Sequence, residues 1–422
     1  MSPRFYLTLL HIHYTFAIIN IHLIPNPSSF NNSIGVKMNK KKTSSHLSLP
    51  ICMLGADGHG KTTLTTVMER VIEKIGTIHS DSSNELFNQL PNHHPICEGV
   101  GFTYRSIDYE TSGKHYTQID CETHQDIVKL LVSGALDIQG AIWVVDADYG
   151  VTQESEELIR IANSVKVSNI VSFLNIHNTD DNELVNICKQ EMTEILTECG
   201  WNENNTPILV GDAHNAINYK TINLGSDQWK PIVDTISALN SIMPNPINKS
   251  ELHLMFPIHK IVEENKETVT FSGELIQGHL SVGQSIDIVG KGDRIKTKCL
   301  NIKDHEITVE SEPDWLSVGQ VVCSPKTIKA HTEFTAIVYL LNQDESGTHI
   351  PIVENDKLEI HLWGIDIHAR VQLPPGLSII SPGSNSDISV SLDLPLVMEV
   401  GTTFEIKKMD IRIGLGIVTE TV

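Results

Sequence analysis

Between residues 48 and 243, short apolar runs rich in β-branched residues alternate with segments whose apolar residues recur at helical spacing. The apolar runs predict strands at 49–54, 116–121, 141–146, 169–174 and 207–210. The intervening segments predict helices at 61–74, 124–133, 153–163, 181–198 and 227–242. Strands that alternate with helices of this length predict a doubly wound, mostly parallel α/β sheet.

The helical period stops at Met243-Pro244-Asn245-Pro246, which has the composition of a linker. Beyond it, short strands are predicted at 268–271, 285–289, 333–341, 368–373 and 387–392, separated by Gly, Pro, Asn and Asp. This pattern predicts two all-β barrel domains, with a break near 325–330. We therefore expect an α/β domain at 48–243, a first barrel at 247–326 and a second barrel at 329–422.

The first fifty residues differ in composition from the rest. They contain five basic residues and no Asp or Glu, whereas the whole chain carries a net charge of −21, so the remainder carries −26. The apolar segment 6–24 is interrupted by His11, His13 and His22, which would be costly in a bilayer, so it is a weak membrane span. The acid-free segment 1–47 resembles an organelle transit peptide. The alternative is that Met38 is the true start and the residues before it are non-functional.

The chain has 422 residues, which predicts two or three domains, and 40% of them are hydrophobic, which supplies a sizeable core. The strong acidity disfavours a non-specific polyanion binder, so any nucleic acid would be held by local contacts. The seven cysteines are dispersed and form no CxxC pair. This is typical of a reducing compartment and excludes a structural zinc site of the usual kind.

One motif carries phosphate chemistry. The sequence from Gly55 to Thr62 satisfies GxxxxGK[ST] and lies between a predicted strand and a predicted helix. In this context the backbone N–H groups of the loop surround phosphate oxygens, and the helix N-terminus adds a favourable dipole. Lys61 would reach the β- and γ-phosphates, and the Thr62 hydroxyl would bind Mg²⁺. We expect phosphate contacts from Asp57, Gly58, His59, Gly60, Lys61, Thr62 and Thr63.

Dispersed motifs in the order of a known family accompany this loop. They include Asp120-Cys121-Glu122-Thr123-His124, Gly150-Val151-Thr152-Gln153, His331-Thr332-Glu333-Phe334, Gly347-Thr348-His349-Ile350-Pro351, Pro382-Gly383-Ser384-Asn385 and Met398-Glu399-Val400-Gly401. Over residues 46–422 the chain resembles the translational GTPases, most closely the elongation factor Tu family of bacteria and organelles. The resemblance implies a P-loop GTPase domain followed by two β-barrels. It also implies GTP/GDP and Mg²⁺ as cofactors and GTP-dependent delivery of aminoacyl-tRNA to the ribosome.

The segments that would read the base depart from the family. The guanine-reading motif NKxD appears as Asn175-Ile176-His177-Asn178, and Asp212-Ala213-His214 stands where the family has SAL. A carboxylate accepts both N1–H and the 2-amino group of guanine, through charge-assisted bonds that contribute about 1.5–3 kcal/mol each. Asn178 presents one acceptor and one donor, so it would meet guanine with a donor–donor conflict and would suit xanthine better. Ile176 lacks the lysine stem that packs on the base.

The residues expected around the γ-phosphate also depart from the family motifs. In the switch II motif, Glu122 and Thr123 replace the Pro-Gly of DCPGH. We expect Glu122 to repel phosphate and Thr123 to lack the conformational freedom of glycine. In switch I, Gly101 stands where the family has its magnesium-binding Thr. Asp120 can still hold a water on Mg²⁺, and the resemblance makes His124 the catalytic residue that positions the attacking water.

The barrel domains also show substitutions. Thr348 replaces an Arg that contacts tRNA in the family, and Lys407, Lys408 and Arg412 occupy the segment where the family has Arg-Glu-Gly-Gly-Arg. The resemblance implies that the first barrel is shortened between 302 and 321, where the family carries a longer, loop-rich stretch. By resemblance we expect aminoacyl-tRNA, the ribosome and a guanine-nucleotide exchange factor as partners, no membrane and a monomer. The acid-free leader favours the mitochondrial matrix; otherwise the chain is cytoplasmic.

Two functions stay open. The first is an elongation factor of this family whose guanine recognition and hydrolysis are impaired. The second is a non-hydrolysing relative that keeps the fold and serves as a binding or regulatory module. A P-loop ATPase or kinase of another class is disfavoured, because the β half and the order of the motifs belong to the translational family. Two losses together separate the first two functions: Asn178 stands where the family has its base-reading Asp, and Gly101 where it has its magnesium-binding Thr.

Overall fold

The structure is a computed structural model that describes residues 48–75, 77–78, 103–176, 182–246, 248–303, 305–346 and 348–422. The predictions about the leader 1–47, about Gly101 in switch I, and about His177 and Asn178 in the base-reading motif lie outside the described residues. The remaining predictions can be compared directly with the observed elements.

The first part of the chain forms an α/β domain. Its strands are β1 Ser48–Leu54, β2 Thr77–Ile78, β3 Tyr104–Thr111, β4 Lys114–Cys121, β5 Gly140–Asp146, β6 Asn169–Asn175 and β7 Ile208–Gly211. Its helices are α1 Lys61–Ile75, α2 His124–Ser133, α3 Gln153–Ser164, α4 Asn182–Glu198, α5 Ala213–Asn218 and α6 Lys230–Ile242. The sheet order is β2-β3-β4-β1-β5-β6-β7. The pairs β4–β1, β1–β5, β5–β6 and β6–β7 are parallel, so the predicted doubly wound sheet is confirmed.

Three elements of this domain, the two-residue strand β2, strand β3 and helix α5, were not predicted from the pattern. Strand β3 pairs antiparallel with β4 and stacks Tyr109 on Tyr116, with ring centroids 5.3 Å apart. Helix α5 has only six residues, which is too short to show a period. Helix α6 begins at Lys230 rather than at 227, because Pro231 occupies its first turn, where the missing N–H and the restricted φ of proline are tolerated.

Two closed six-stranded barrels follow, as predicted. The first joins β8 Met255–Glu264, β9 Thr268–Gly273, β10 Ser285–Val289, β11 Ile295–Lys303, β12 Glu306–Glu310 and β13 Val321–Cys323. The second joins β14 Ala330–Leu340, β16 Lys357–Leu362, β17 Ile365–Gln372, β19 Asn385–Val397, β20 Thr403–Lys408 and β21 Ile411–Thr421. A short helix, α7 Gln343–Ser346, and a two-stranded ribbon, β15 Ile352–Val353 with β18 Ile379–Ile380, are added to it.

The second barrel packs directly on the α/β domain. Ile337, Tyr339, Leu415 and Ile417 of the barrel belong to the same buried apolar cluster as the inner face of α2 and the strands β1 and β5. At the end of α2, Gly134 has φ +59° and lies against Thr403 of β20, where a Cβ would come within 2.4 Å of the Thr403 methyl carbon. Helix α2, which follows the switch II motif, is therefore fixed between the sheet and the barrel.

Within the described ranges, no helix is both long enough and apolar enough to span a bilayer. The six cysteines in those ranges are all buried free thiols: Cys52, Cys121, Cys188, Cys199, Cys299 and Cys323. Burial raises the pKa of Cys52 to about 12, so this thiol is protonated at neutral pH.

Candidate functional site

The phosphate loop leads from β1 into α1, as its motif requires. Gly55, Gly58 and Gly60 have φ values of +144°, +84° and +90°, which favour glycine. At Gly55 a Cβ would come within 2.4 Å of the Val144 carbonyl oxygen on β5. The glycines therefore allow the loop to turn tightly against the sheet, with its N–H groups at the start of a helix.

Lys61, the first residue of α1, is buried with 5% of its side chain exposed. Its Nζ donates to the carbonyl oxygens of Gly55 at 2.9 Å and Ala56 at 3.0 Å. The Asp57 Oδ1 atom lies 3.5 Å from the same Nζ. The ammonium group is thus held at the centre of the loop, where it can reach a phosphate chain. The neighbouring Thr62 is exposed and Thr63 is half-buried.

Asp120, the last residue but one of β4, brings a carboxylate to this loop. Asp120 is 4% exposed, and burial raises the pKa of its carboxyl, an effect that the Thr62 and Thr65 hydroxyls, Lys61 and Arg105 partly oppose. Among the described residues its Oδ1 has no hydrogen-bond partner. An orphaned carboxylate oxygen beside a threonine hydroxyl fits a hard cation that prefers oxygen ligands. Thr62 and Asp120 therefore fit the expected Mg²⁺.

His59 is buried in the loop and packs against the end of β5. It is 2% exposed, its Nδ1 accepts the Asp146 N–H at 3.4 Å, and burial lowers its pKa, so the imidazole is neutral. Its ring stacks on Tyr149, with centroids 5.9 Å apart and an interplanar angle of 10°. Tyr149 is 71% exposed, and sequence reasoning missed it. An aromatic residue just after the end of β5 was the only signal in the sequence.

The base-reading segments begin at the ends of β6 and β7. Asn175 is buried, and its Oδ1 accepts the Ala213 N–H at 3.1 Å. Its amide nitrogen lies beside Gly60, where a Cβ would come within 2.8 Å. The Ile176 N–H donates to the Gly211 carbonyl at 3.0 Å. Asn175 thus joins the phosphate loop to the second base-reading segment, and Ile176 and Ala213 lie together with it.

The remaining residues of the second segment belong to a helix start. Asp212 is the N-cap of α5, and its Oδ1 accepts the Asn215 N–H at 2.7 Å. Ala213 is buried, and His214 is exposed on the first turn. The altered sequence at this position therefore starts α5, a role for which Asp is one of the preferred residues.

The switch II residues form the end of β4 and the start of α2. Cys121 is buried and Glu122 is exposed, with its N–H donated to the Thr103 carbonyl at 3.2 Å. Thr123 has φ −115° and ψ 159°, an extended conformation open to any residue. Its hydroxyl oxygen accepts the Asp126 N–H at 3.2 Å, which makes Thr123 the N-cap of α2. In this arrangement Thr123 needs no glycine-like freedom, and it stabilises the helix that follows.

His124, the first residue of α2, lies towards α3. Its Nε2 is 3.3 Å from Glu157 Oε2, with the two side chains 16% and 39% exposed. The neighbouring His124 imidazole lowers the pKa of the Glu157 carboxyl, and Asn385 of the second barrel contributes in the same direction. The predicted catalytic histidine thus lies within ion-pair distance of an acidic residue on α3.

Comparison with known families agrees with this architecture. The model of the elongation factor Tu GTP binding domain matches residues 47–262, which is more than half of the chain. The model of the elongation factor Tu C-terminal domain matches residues 327–422, which contain the second barrel. The resemblance drawn from the motifs is therefore confirmed. The chain belongs to the elongation factor Tu family of GTP-binding translation factors.

Proposed function

We propose that this chain binds GTP or GDP with Mg²⁺ more weakly than is usual for its family and delivers aminoacyl-tRNA to the ribosome with reduced efficiency. The observation that carries the proposal is the assembled phosphate loop, with a buried Lys61 at its centre and Asn175 bridging it to the second base-reading segment. A loop with these contacts has the backbone and the lysine that hold a phosphate chain.

In the proposed complex the phosphate oxygens take hydrogen bonds from the loop N–H groups and from Lys61. The Thr62 hydroxyl and the orphaned Asp120 carboxylate would hold Mg²⁺, Asp120 through a water. Bound Mg²⁺ would neutralise charge on the phosphates. Burial raises the pKa of Asp120, so its charged carboxylate is costly in the folded chain, and a bound cation would relieve this cost.

The weak recognition of guanine follows from Ile176 and Asn178, which replace a lysine and an aspartate of the family motif. Titration of the full chain with mant-GDP and with a xanthosine diphosphate analogue tests this directly. We expect the unmodified chain to bind mant-GDP weakly and the xanthosine diphosphate analogue more tightly. The double variant Asn178→Asp/Ile176→Lys should bind GDP more tightly than the unmodified chain does. Tight GDP binding by the unmodified chain would contradict the proposal.

Slow hydrolysis is the second part of the proposal. It is supported by the pairing of His124 with Glu157, which holds the imidazole at the α3 side of the domain. We expect negligible phosphate release in a single turnover. Phosphate release that ribosomes stimulate and that His124→Ala abolishes would show instead that hydrolysis is intact.

A second candidate function, a non-hydrolysing binding module, is favoured by the charges of the second barrel. Lys407 pairs with Asp366 at 2.8 Å, Lys408 with Asp356 at 2.5 Å, and Arg412 with Glu405 at 3.4 Å. Cations that are neutralised internally contribute less to RNA affinity. Filter binding of aminoacyl-tRNA to the nucleotide-loaded chain separates the two candidates: retention supports delivery, and its absence supports the binding module.

The compartment is proposed on composition alone. Residues 1–50 contain five basic residues and no acidic one, which favours import into the mitochondrial matrix. A fluorescent protein fused to residues 1–47 tests this proposal by co-localisation with mitochondria. Diffuse cytoplasmic fluorescence would contradict it.

A further inference from the structure

The ammonium group of Lys61 is surrounded by oxygens of its own loop. It has three protons to donate, and the carbonyl oxygens of Gly55 and Ala56 lie at 2.9 Å and 3.0 Å from Nζ. The third direction leads to Asp57 Oδ1, at 3.5 Å. The remaining N–H donor of Lys61, which a phosphate would need, therefore faces the Asp57 carboxylate. The Lys61 side chain is only 5% exposed.

Asp57 lies on the open side of the loop. Its side chain is 58% exposed, in contrast to the buried lysine that it pairs with. The next residue, Gly58, also faces open space, since a Cβ there would meet none of the described atoms within 4 Å. A ligand that approaches the Lys61 ammonium from solvent therefore comes close to the Asp57 carboxylate.

We propose that Asp57 competes with phosphate for Lys61 and makes the loop select a diphosphate over a triphosphate. This inference rests on the proposed function, because its ligand is the phosphate chain of the nucleotide. In loops of this motif the lysine reaches the β- and γ-phosphates. Because Asp57 Oδ1 lies 3.5 Å from Nζ, a phosphate oxygen bonded to Nζ would lie near the Asp57 carboxylate. The two negative charges would repel each other.

The repulsion is moderate and depends on ligand charge. Water screens the Asp57 carboxylate, because more than half of its side chain is exposed. A triphosphate brings more negative charge to the lysine than a diphosphate does, so it meets the larger penalty. The motif leaves the identity of residue 57 open, and only the folded loop reveals that its carboxylate reaches Lys61.

Calorimetric titration of the full chain with inorganic tripolyphosphate and pyrophosphate tests the inference without involving a base. The variant is Asp57→Asn, which removes the charge and keeps the size. We expect it to tighten tripolyphosphate binding about tenfold and pyrophosphate binding less than about threefold. Asp148→Asn is the matched control, since Asp148 is also exposed and follows Asp146, which contacts the loop through His59, but it is not paired with Lys61. It should change either affinity less than about twofold.

Parallel titrations with mant-GTP and mant-GDP separate this inference from the proposed function. If Asp57→Asn tightens tripolyphosphate binding while neither nucleotide binds either form, the inference stands and guanine-nucleotide binding fails. If Asp57→Asn produces no selective gain for tripolyphosphate, whether binding stays equal or stays undetectable, the inference is overturned. An equal gain in Asp148→Asn would also overturn it. Circular dichroism of both variants confirms that they are folded.

Discussion

Lys129 of α2 forms a buried ion pair with Glu345 of α7, in the second barrel. Its Nζ lies 2.5 Å from Glu345 Oε1, and the two side chains are 8% and 7% exposed. Asp126 Oδ1 lies 3.6 Å from the same Nζ, and the Tyr339 ring centroid lies 5.7 Å from it. Because α2 begins directly after its N-cap Thr123, this pair connects the switch II region to the second barrel.

Removing one partner of this pair should strongly destabilise the chain. Lys129→Met leaves the Glu345 carboxylate buried without its cation, and breaking a buried pair in this way costs about 3–5 kcal/mol. The measurement is the free energy of unfolding in urea, with the double variant Lys129→Met/Glu345→Leu expected to recover most of the loss. The control is Lys230→Met, which breaks an exposed pair with Asp234 and should cost less than about 1 kcal/mol. Equal losses in the two lysine variants would contradict a buried pair.

Thr123 and Thr152 should behave alike, because each caps a helix through its hydroxyl. Thr123 Oγ1 accepts the Asp126 N–H and Thr152 Oγ1 accepts the Ser155 N–H, both at 3.2 Å. Thr→Ala at either position should cost about 1 kcal/mol of stability, and Thr→Gly only a few tenths. Chemical denaturation of the four variants measures this. A Thr123→Gly variant that is more stable than the unmodified chain would show that the cap is strained.

The stability of the nucleotide-free chain should depend on pH through Asp120. Burial raises the pKa of Asp120 above its ordinary value of 3.8, so the folded state favours the protonated carboxyl. The stability that the Asp120 carboxyl contributes is fully present below pH 3.8, and it is lost as pH rises through the raised pKa of the folded chain. Asp120→Asn should therefore stabilise the chain increasingly as pH rises above about 4. Thermal unfolding at several pH values measures the difference, and a difference that shrinks as pH rises would contradict the sign.

Releasing a cation of the second barrel should strengthen RNA binding. Burial alone would raise the pKa of Asp366, but hydrogen bonds from Lys407 and His361 lower it overall, so this carboxylate stays charged and keeps Lys407 paired. Asp366→Asn removes the negative charge that neutralises Lys407. It should steepen the salt dependence of tRNA binding by about 0.9 in log–log slope, the value for one added phosphate contact.

Filter binding of tRNA at several salt concentrations measures that slope. The matched control is Asp234→Asn, which frees Lys230 on α6, outside the barrels. It should leave the slope unchanged. An unchanged slope in Asp366→Asn, with stability intact, would show that Lys407 does not lie on an RNA-binding surface.

The sequence by itself determined the architecture where its patterns are local. The apolar runs located β1, β5 and β6 to within one residue, because buried parallel strands must be continuously apolar. The bounds of α2 were predicted as observed, since Thr123 and Gly134 are residues that begin and end helices. The phosphate loop and the order of the motifs identified the family, because glycine, lysine and threonine at those spacings have specific chemical roles.

The tertiary structure decided the relationships between distant residues. Strand β3 and most of the barrel strands are polar on one face, so their stability comes from partners that pattern alone does not reveal. The roles of Asp57, His124 and Lys129 likewise depend on which side chain the fold brings within ion-pair distance. The sequence specifies which charged and apolar groups are present. The tertiary structure determines which of them are close enough to interact, because electrostatic and packing energies depend on separation in space.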